Sequence, residues 1–137
     1  MRSKELTIEA RVENLCKVLV FVDRFLKEYG CAPKDKMSID VAVEEIFVNI
    51  ASYAYAPGGG MATVRVESCD DPVGVVITFL DHGVPYDPLA KEDPDITESA
   101  EKRQIGGLGI FMTKKLMDSI DYEYRDGQNI LTLKKQL

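Results

Sequence analysis

The sequence has little with which to cross a membrane, staple itself with disulfides or hold a metal through soft ligands. Its longest purely apolar run, VLVFV at 18–22, is closed by Asp23, far short of the ~20 residues a spanning helix needs. The start, MRSKELTIEA, contains no apolar stretch resembling a signal peptide, so a cytoplasmic location without a membrane partner is expected. Cysteines are few and scattered, at Cys16, Cys31 and Cys69, and His82 is the only histidine. No metal-type spacing arises from these positions, and a reduced, metal-free protein is expected from them. Basic residues are also in deficit, with 17 Lys and Arg against 23 Asp and Glu and a formal charge of −6. Nucleic acid is therefore not expected as a partner, because gripping a phosphate backbone draws on a basic face. An acidic chain can still bind a phosphorylated small molecule where backbone amides and a metal ion supply the positive field.

What is present suits one compact unit. The 137 residues, 45% of them hydrophobic and 29% charged, fit a single domain over 1–137 with one core. LTIEA alternates like a half-buried strand. Leu15, Val18, Leu19, Val22, Phe25 and Leu26 recur at three- and four-residue spacing, which predicts a helix over 12–29 ended near Gly30. Pro33 and Pro57 bracket a second predicted helix, about 34–56. MATVRVES and VGVVITFLD read as adjacent antiparallel strands around the Asp70, Asp71 and Pro72 turn. Residues 82–104 show no periodicity and carry the acidic run KEDPDITESAEKRQ. Loops of that length are uncommon in compact domains and tend to be lids or binding loops; a merely mobile insertion is the alternative. A third helix is expected after the glycines of IGGLG, to about Asp118, then two strands around the Asp126-Gly127 turn. The order β-α-α-β-β-loop-α-β-β predicts an α+β fold, a two-layer α/β sandwich on a mainly antiparallel sheet.

Three stretches carry candidate chemistry. On the second helix, Ile39, Val43, Ile46, Ile50 and Tyr53 form the expected core stripe, and Glu45, Asn49 and Ser52 form a neighbouring one. A solvated Glu–Asn pair would explain that flank. Alternatively Asn49 offers a neutral oxygen to a hard cation such as Mg²⁺, and Glu45 stands near enough to take a proton from an attacking hydroxyl. Glu44, about 100° away, is assigned to solvent. Asp81 ends an apolar strand two residues before Gly83, as an ordinary turn would; a carboxylate there can also accept a hydrogen bond from an adenine amino group. Glycines before a helix leave its first amides free to meet a phosphate, although a lid hinge or tight packing would call for glycine too. Neither the P-loop nor the dinucleotide fingerprint is met by GGLG.

Taken in order, E-x-x-x-N at 45–49, D-x-G at 81–83 and G-G-x-G at 106–109 resemble the ATP-binding boxes of the GHKL superfamily. EEIFVNIASYAY, DHGVPYDP and GGLGIFMTKKLMD are similar to its small stand-alone branch, the bacterial anti-sigma-factor serine kinases, over about 5–136. The resemblance implies the Bergerat-type, histidine kinase-like ATPase fold: a mainly antiparallel mixed sheet covered on one face by three helices, with a lid at about 84–105. It further implies ATP and Mg²⁺ as cofactors, Asn49 as the Mg²⁺ ligand, and Asp81 on adenine with Gly83 beside the ring. Gly106, Gly107, Leu108 and Gly109 would wrap the phosphates, Ser52, Tyr53 and Asn129 would also lie at the nucleotide, and Glu45 would be the general base. The implied partners are ATP or ADP, a small anti-anti-sigma protein that is phosphorylated, a sigma factor held in the other state, and a second copy in a homodimer. Three departures stand out: Tyr53 where these proteins commonly carry histidine, Asn129 where a threonine is usual, and a lid rich in acid with Lys102 and Arg103 only near its end. A nucleotide-gated binding module without kinase activity is the competing expectation. A histidine-kinase-like domain acting in trans is disfavoured, because the chain lacks a helix pair bearing a phosphoacceptor histidine.

Overall fold

The computed structural model describes residues 2–55, 58–90 and 107–137, the side chains of residues 107 and 108 excepted. The expected lid at 84–105 therefore lies largely outside the described residues, as do Gly106, Lys102 and Arg103.

Five strands form one sheet in the order β1-β2-β3-β5-β4. They are β1 (Ser3–Glu9), β2 (Met61–Asp70), β3 (Val73–Asp81), β4 (Ser119–Arg125) and β5 (Gln128–Gln136). Every pairing is antiparallel, so the parallel pair of a mixed sheet is absent among the described residues. Alternation decides which face is buried: Ala62, Val64, Val66, Ile77, Phe79, Leu131 and Leu133 point to the core, with polar neighbours between them on β2 and β5. The β4–β5 hairpin turns on Asp126 and Gly127, both at positive φ (54° and 78°), the geometry a tight two-residue turn requires.

Three helices supply the other layer: α1 (Leu15–Tyr29), α2 (Pro33–Tyr53) and α3 (Gly107–Leu116). The 12–14 segment of the predicted first helix is a separate 3-10 turn. Gly30 ends α1 in the left-handed region at φ 89°, its N–H returning to the Leu26 and Lys27 carbonyls. Val18, Val22 and Leu26 of α1 and Ile39, Val43, Ile46 and Phe47 of α2 are sealed against the sheet, each such side chain contributing roughly 1.5–3 kcal/mol. The second helix stops at Tyr53 rather than 56, and Tyr53 leaves the expected core stripe, 42% exposed. It is the last residue of α2, and its ring stacks on Tyr86, with centroids 5.3 Å apart and planes at 26°. The third helix begins at Gly107, so Gly107 and Gly109 lie in its first turn instead of before it. Helix-opening amides have no intrahelical acceptor in either arrangement.

Candidate functional site

The site forms where the end of β3 meets the end of α2. Asp81 closes β3 on its core face, only 3% exposed, and is the register partner of Asn129 on β5. A buried carboxylate needs donors. Asp81 Oδ1 receives the Gly83 N–H at 2.9 Å and Asn129 Nδ2 at 2.9 Å. Gly83 is glycine for want of space: a Cβ there would lie 2.1 Å from the Ala54 carbonyl oxygen. That carbonyl, orphaned at the end of α2, is capped by the Val84 N–H at 2.8 Å. On the other flank the Tyr55 hydroxyl accepts the His82 N–H at 2.8 Å and donates to the Met61 carbonyl at 2.6 Å. The D-x-G turn is thus fastened to α2, β2 and β5 at once.

A pocket of about 30 Å³ opens beside Asp81. Its walls are mostly apolar, with Ile46, Ile50, Phe79 and Leu131 among them, and Asn49, Asp81 and Asn129 as the convergent polar groups. This composition, apolar faces with a few fixed hydrogen-bonding groups, is that of a small-molecule site. Its volume holds about one or two waters, and Tyr86, Pro88 and Tyr122 complete the wall. The Tyr122 hydroxyl hydrogen-bonds Asn129 Oδ1; burial pushes its phenol pKa up, which keeps it a neutral donor.

Glu45 stands one turn of α2 before Asn49, outside the pocket wall. It is half-buried, and desolvation, followed by the neighbouring Glu44 charge, raises its carboxyl pKa. Glu44 is exposed, as expected. The Glu45 carboxylate rests directly on Gly109: a Cβ at that glycine would lie 2.0 Å from Glu45 Cδ. So the E-x-x-x-N helix and the G-G-x-G helix meet through a carboxylate laid on a bare backbone. Asn49, 9% exposed, sits between Glu45 and the Asp81 end. Among the described residues no group of three or more His, Cys, Asp or Glu could hold a metal. The donor set is one neutral oxygen with a carboxylate a turn away, which fits a Mg²⁺ whose other ligands are phosphates and waters and does not fit a cation caged by protein alone.

The structure brings Glu45, Asn49, Asp81, Gly83, Gly109 and Asn129 to one end of the sandwich. Ser52 is exposed and outside the pocket wall, and Tyr53 takes part through its stack on Tyr86. Gly107 opens α3; Gly106 and the Leu108 side chain lie outside the described residues. Sequence reasoning missed Tyr55, Tyr86 and Tyr122. For Tyr122 the signal was available, since strict alternation in IDYEYRD places it on the face of Ile120. Tyr55 and Tyr86 lie in irregular backbone, where no period assigns a direction.

The histidine kinase-like ATPase domain family matches residues 8–135. The chain is similar to the serine/threonine-protein kinase BtrW of Bordetella bronchiseptica, 30% identical over 135 residues that cover 97% of this chain and 94% of that protein. It is also similar to the serine-protein kinase RsbW of Bacillus cereus, 26% identical over 134 residues, 95% of this chain and 82% of the relative. Among solved structures, that of the RsbU and RsbW domains of a Mycobacterium tuberculosis protein superposes with a TM-score of 0.72 at 19% identity. It covers 100% of this chain, which spans 33% of that larger one, and the likeness carries the fold. No helix among the described residues is long and apolar enough to cross a membrane.

Proposed function

The chain belongs to the histidine kinase-like ATPase domain family, and from that premise we propose that it is an ATP-using serine protein kinase. The observation that carries this reading is the joining of two arrangements at one end of the fold: a buried carboxylate at the head of an apolar pocket, and a desolvated carboxylate, Glu45, against the opening of α3. Asp81 would accept from the adenine amino group. The first-turn amides of α3, unpaired within the helix, would face the phosphates. Asn49 would hold Mg²⁺, which when bound neutralises charge on the transferring phosphoryl group.

Glu45 would take the proton from a serine hydroxyl of the partner protein as that oxygen bonds to the γ-phosphorus and the bridging P–O bond breaks, releasing ADP. Its raised pKa suits a base working near neutral pH, because a stronger base drives the proton transfer further. By its resemblance to the stand-alone bacterial branch, the acceptor is a small anti-anti-sigma protein, the second binding partner a sigma factor, and the assembly a homodimer.

The test is transfer of labelled γ-phosphate to a candidate acceptor by the wild-type chain and by Glu45→Gln. The expected result is phosphoserine from the first and none from the second, with Mg-ATP affinity retained in both. Partner binding that depends on ATP versus ADP, with no phosphoserine formed, would replace this reading with a nucleotide-gated binding module.

A further inference from the structure

The polar groups at the Asp81 end of the pocket converge on one side chain. Asn129 is 5% exposed and pairs in register with Asp81. Its Nδ2 donates to Asp81 Oδ1 at 2.9 Å and to the Val84 carbonyl at 2.8 Å. Its Oδ1 accepts the Tyr86 N–H at 3.2 Å and is bonded by the Tyr122 hydroxyl. The Val84 carbonyl can only accept and the Tyr86 amide can only donate, so the carboxamide has a single orientation. Two N–H donors and two acceptor lone pairs are the whole capacity of such a group. All of them end on protein atoms.

We propose that Asn129 is a positioning residue: it contacts no nucleotide, and instead locks the Asp81 carboxylate and the Val84–Tyr86 segment so that Asp81 presents Oδ2 alone to an adenine amino group. The proposal rests on the reading of this pocket as an adenine site. Asp81 Oδ1 is held by two donors, the Gly83 amide and Asn129, and turning the carboxylate would break both bonds. That rigidity bears on base choice. Adenine offers an amino group at the position where guanine has a carbonyl, so an acceptor-only carboxylate fixed there leaves the guanine oxygen unpaired and buried, whereas a carboxylate free to shift could accept instead from guanine's ring and amino N–H groups. Asn129 also ties the Val84–Tyr86 segment to β4 through Tyr122.

The experiment is titration calorimetry of the full chain with Mg-ATP and Mg-GTP, using wild type, Asn129→Leu, Asn129→Asp, Asp81→Asn and Asp81→Asn combined with Asn129→Leu. Asn129→Leu should lower the preference for ATP over GTP by at least about tenfold, the size of one lost charged hydrogen bond. Asn129→Asp sets two carboxylates side by side, so its preference should be lost near pH 8 and return in part near pH 5.5, where a shared proton restores one donor to Asp81. In the Asp81→Asn background, removing Asn129 should change the ATP-over-GTP preference by less than about twofold, because coupled residues are not additive. A further loss as large as in the wild-type background would mean that Asn129 meets the nucleotide by itself, and would overturn the proposal. So would Asn129→Leu or Asn129→Asp at pH 8 with the wild-type preference. A wild-type chain that binds neither nucleotide would instead remove the adenine reading on which the proposal stands.

Discussion

Gly109→Ala isolates the contact between α3 and the proposed base. The added Cβ would lie 2.0 Å from Glu45 Cδ and 2.1 and 2.2 Å from its two carboxylate oxygens. Carbon atoms in ordinary contact stand ~3.5–4 Å apart, so the carboxylate must withdraw by more than about 1 Å. It sits at the tip of a flexible side chain, and alanine is the better helix former by ~1 kcal/mol. Folding stability should therefore change by less than about 1 kcal/mol, as seen by thermal melting. Catalysis should respond far more, since a misplacement of about 1 Å can cost about 10²-fold in rate. The displaced carboxylate also regains water, and desolvation is the first cause of its raised pKa, so its pKa should fall towards the ordinary glutamate range. Carboxyl-carbon NMR across pH reads this directly. A base acts when deprotonated, so the acid limb of the transfer profile should shift to lower pH while the plateau drops. An unchanged Glu45 titration together with undiminished transfer would refute the reasoning. So would a loss confined to Mg-ATP affinity, which would assign Gly109 to the phosphates alone.

Two further substitutions have defined expectations. Between α1 and α2, Lys36 bridges Asp23 and Asp40 at 3.3 Å each, and one oxygen of each carboxylate is buried without a partner. Burial first, and then Asp23, push the Asp40 carboxyl from 3.8 up to about 7, against the opposing pull of Lys36. A folded pKa above the unfolded one gives stability that is full below about 4 and lost as pH rises through 7. Asp40→Asn mimics the protonated form, and should be more stable than wild type at pH 8 by on the order of 1 kcal/mol after solvent screening, with a flatter dependence between pH 5 and 8 in urea unfolding. Equal slopes in the two proteins would contradict this. Gly83→Ala sets a methyl group 2.1 Å from a backbone carbonyl that cannot swing away, so a loss of about 1–3 kcal/mol and weakened Mg-ATP binding are expected. An unperturbed melting temperature would show that the D-x-G turn is free to move.

Much of the scaffold was legible because the residues bounding it act locally. VGVVITFLD is β3 residue for residue, since its apolar run is fenced by Pro72 and the Asp81 turn. Val18, Val22, Phe25 and Leu26 are the buried face of α1 that their spacing predicts. Boundaries slipped where tertiary contacts decide. The second helix ends at Tyr53 because the capped Ala54 carbonyl and the Tyr53–Tyr86 stack take over from there. At the candidate site, the order of the three boxes singles out Glu45, Asn49, Asp81 and Gly109 as candidates, yet the carboxylate-on-glycine contact joins residues 64 positions apart and leaves no local trace. The saturated bonding of Asn129 is equally long-range, resting on Asp81, Val84, Tyr86 and Tyr122 together.

The most direct measurement is calorimetry of Mg-ATP against the wild-type chain and Asp81→Asn. Saturable heat from the wild type, weakened at least about tenfold by removal of the carboxylate proposed to read the adenine amino group, is the expected result. Absence of saturable heat at millimolar Mg-ATP, or equal binding by the two proteins, would contradict the assignment of this pocket.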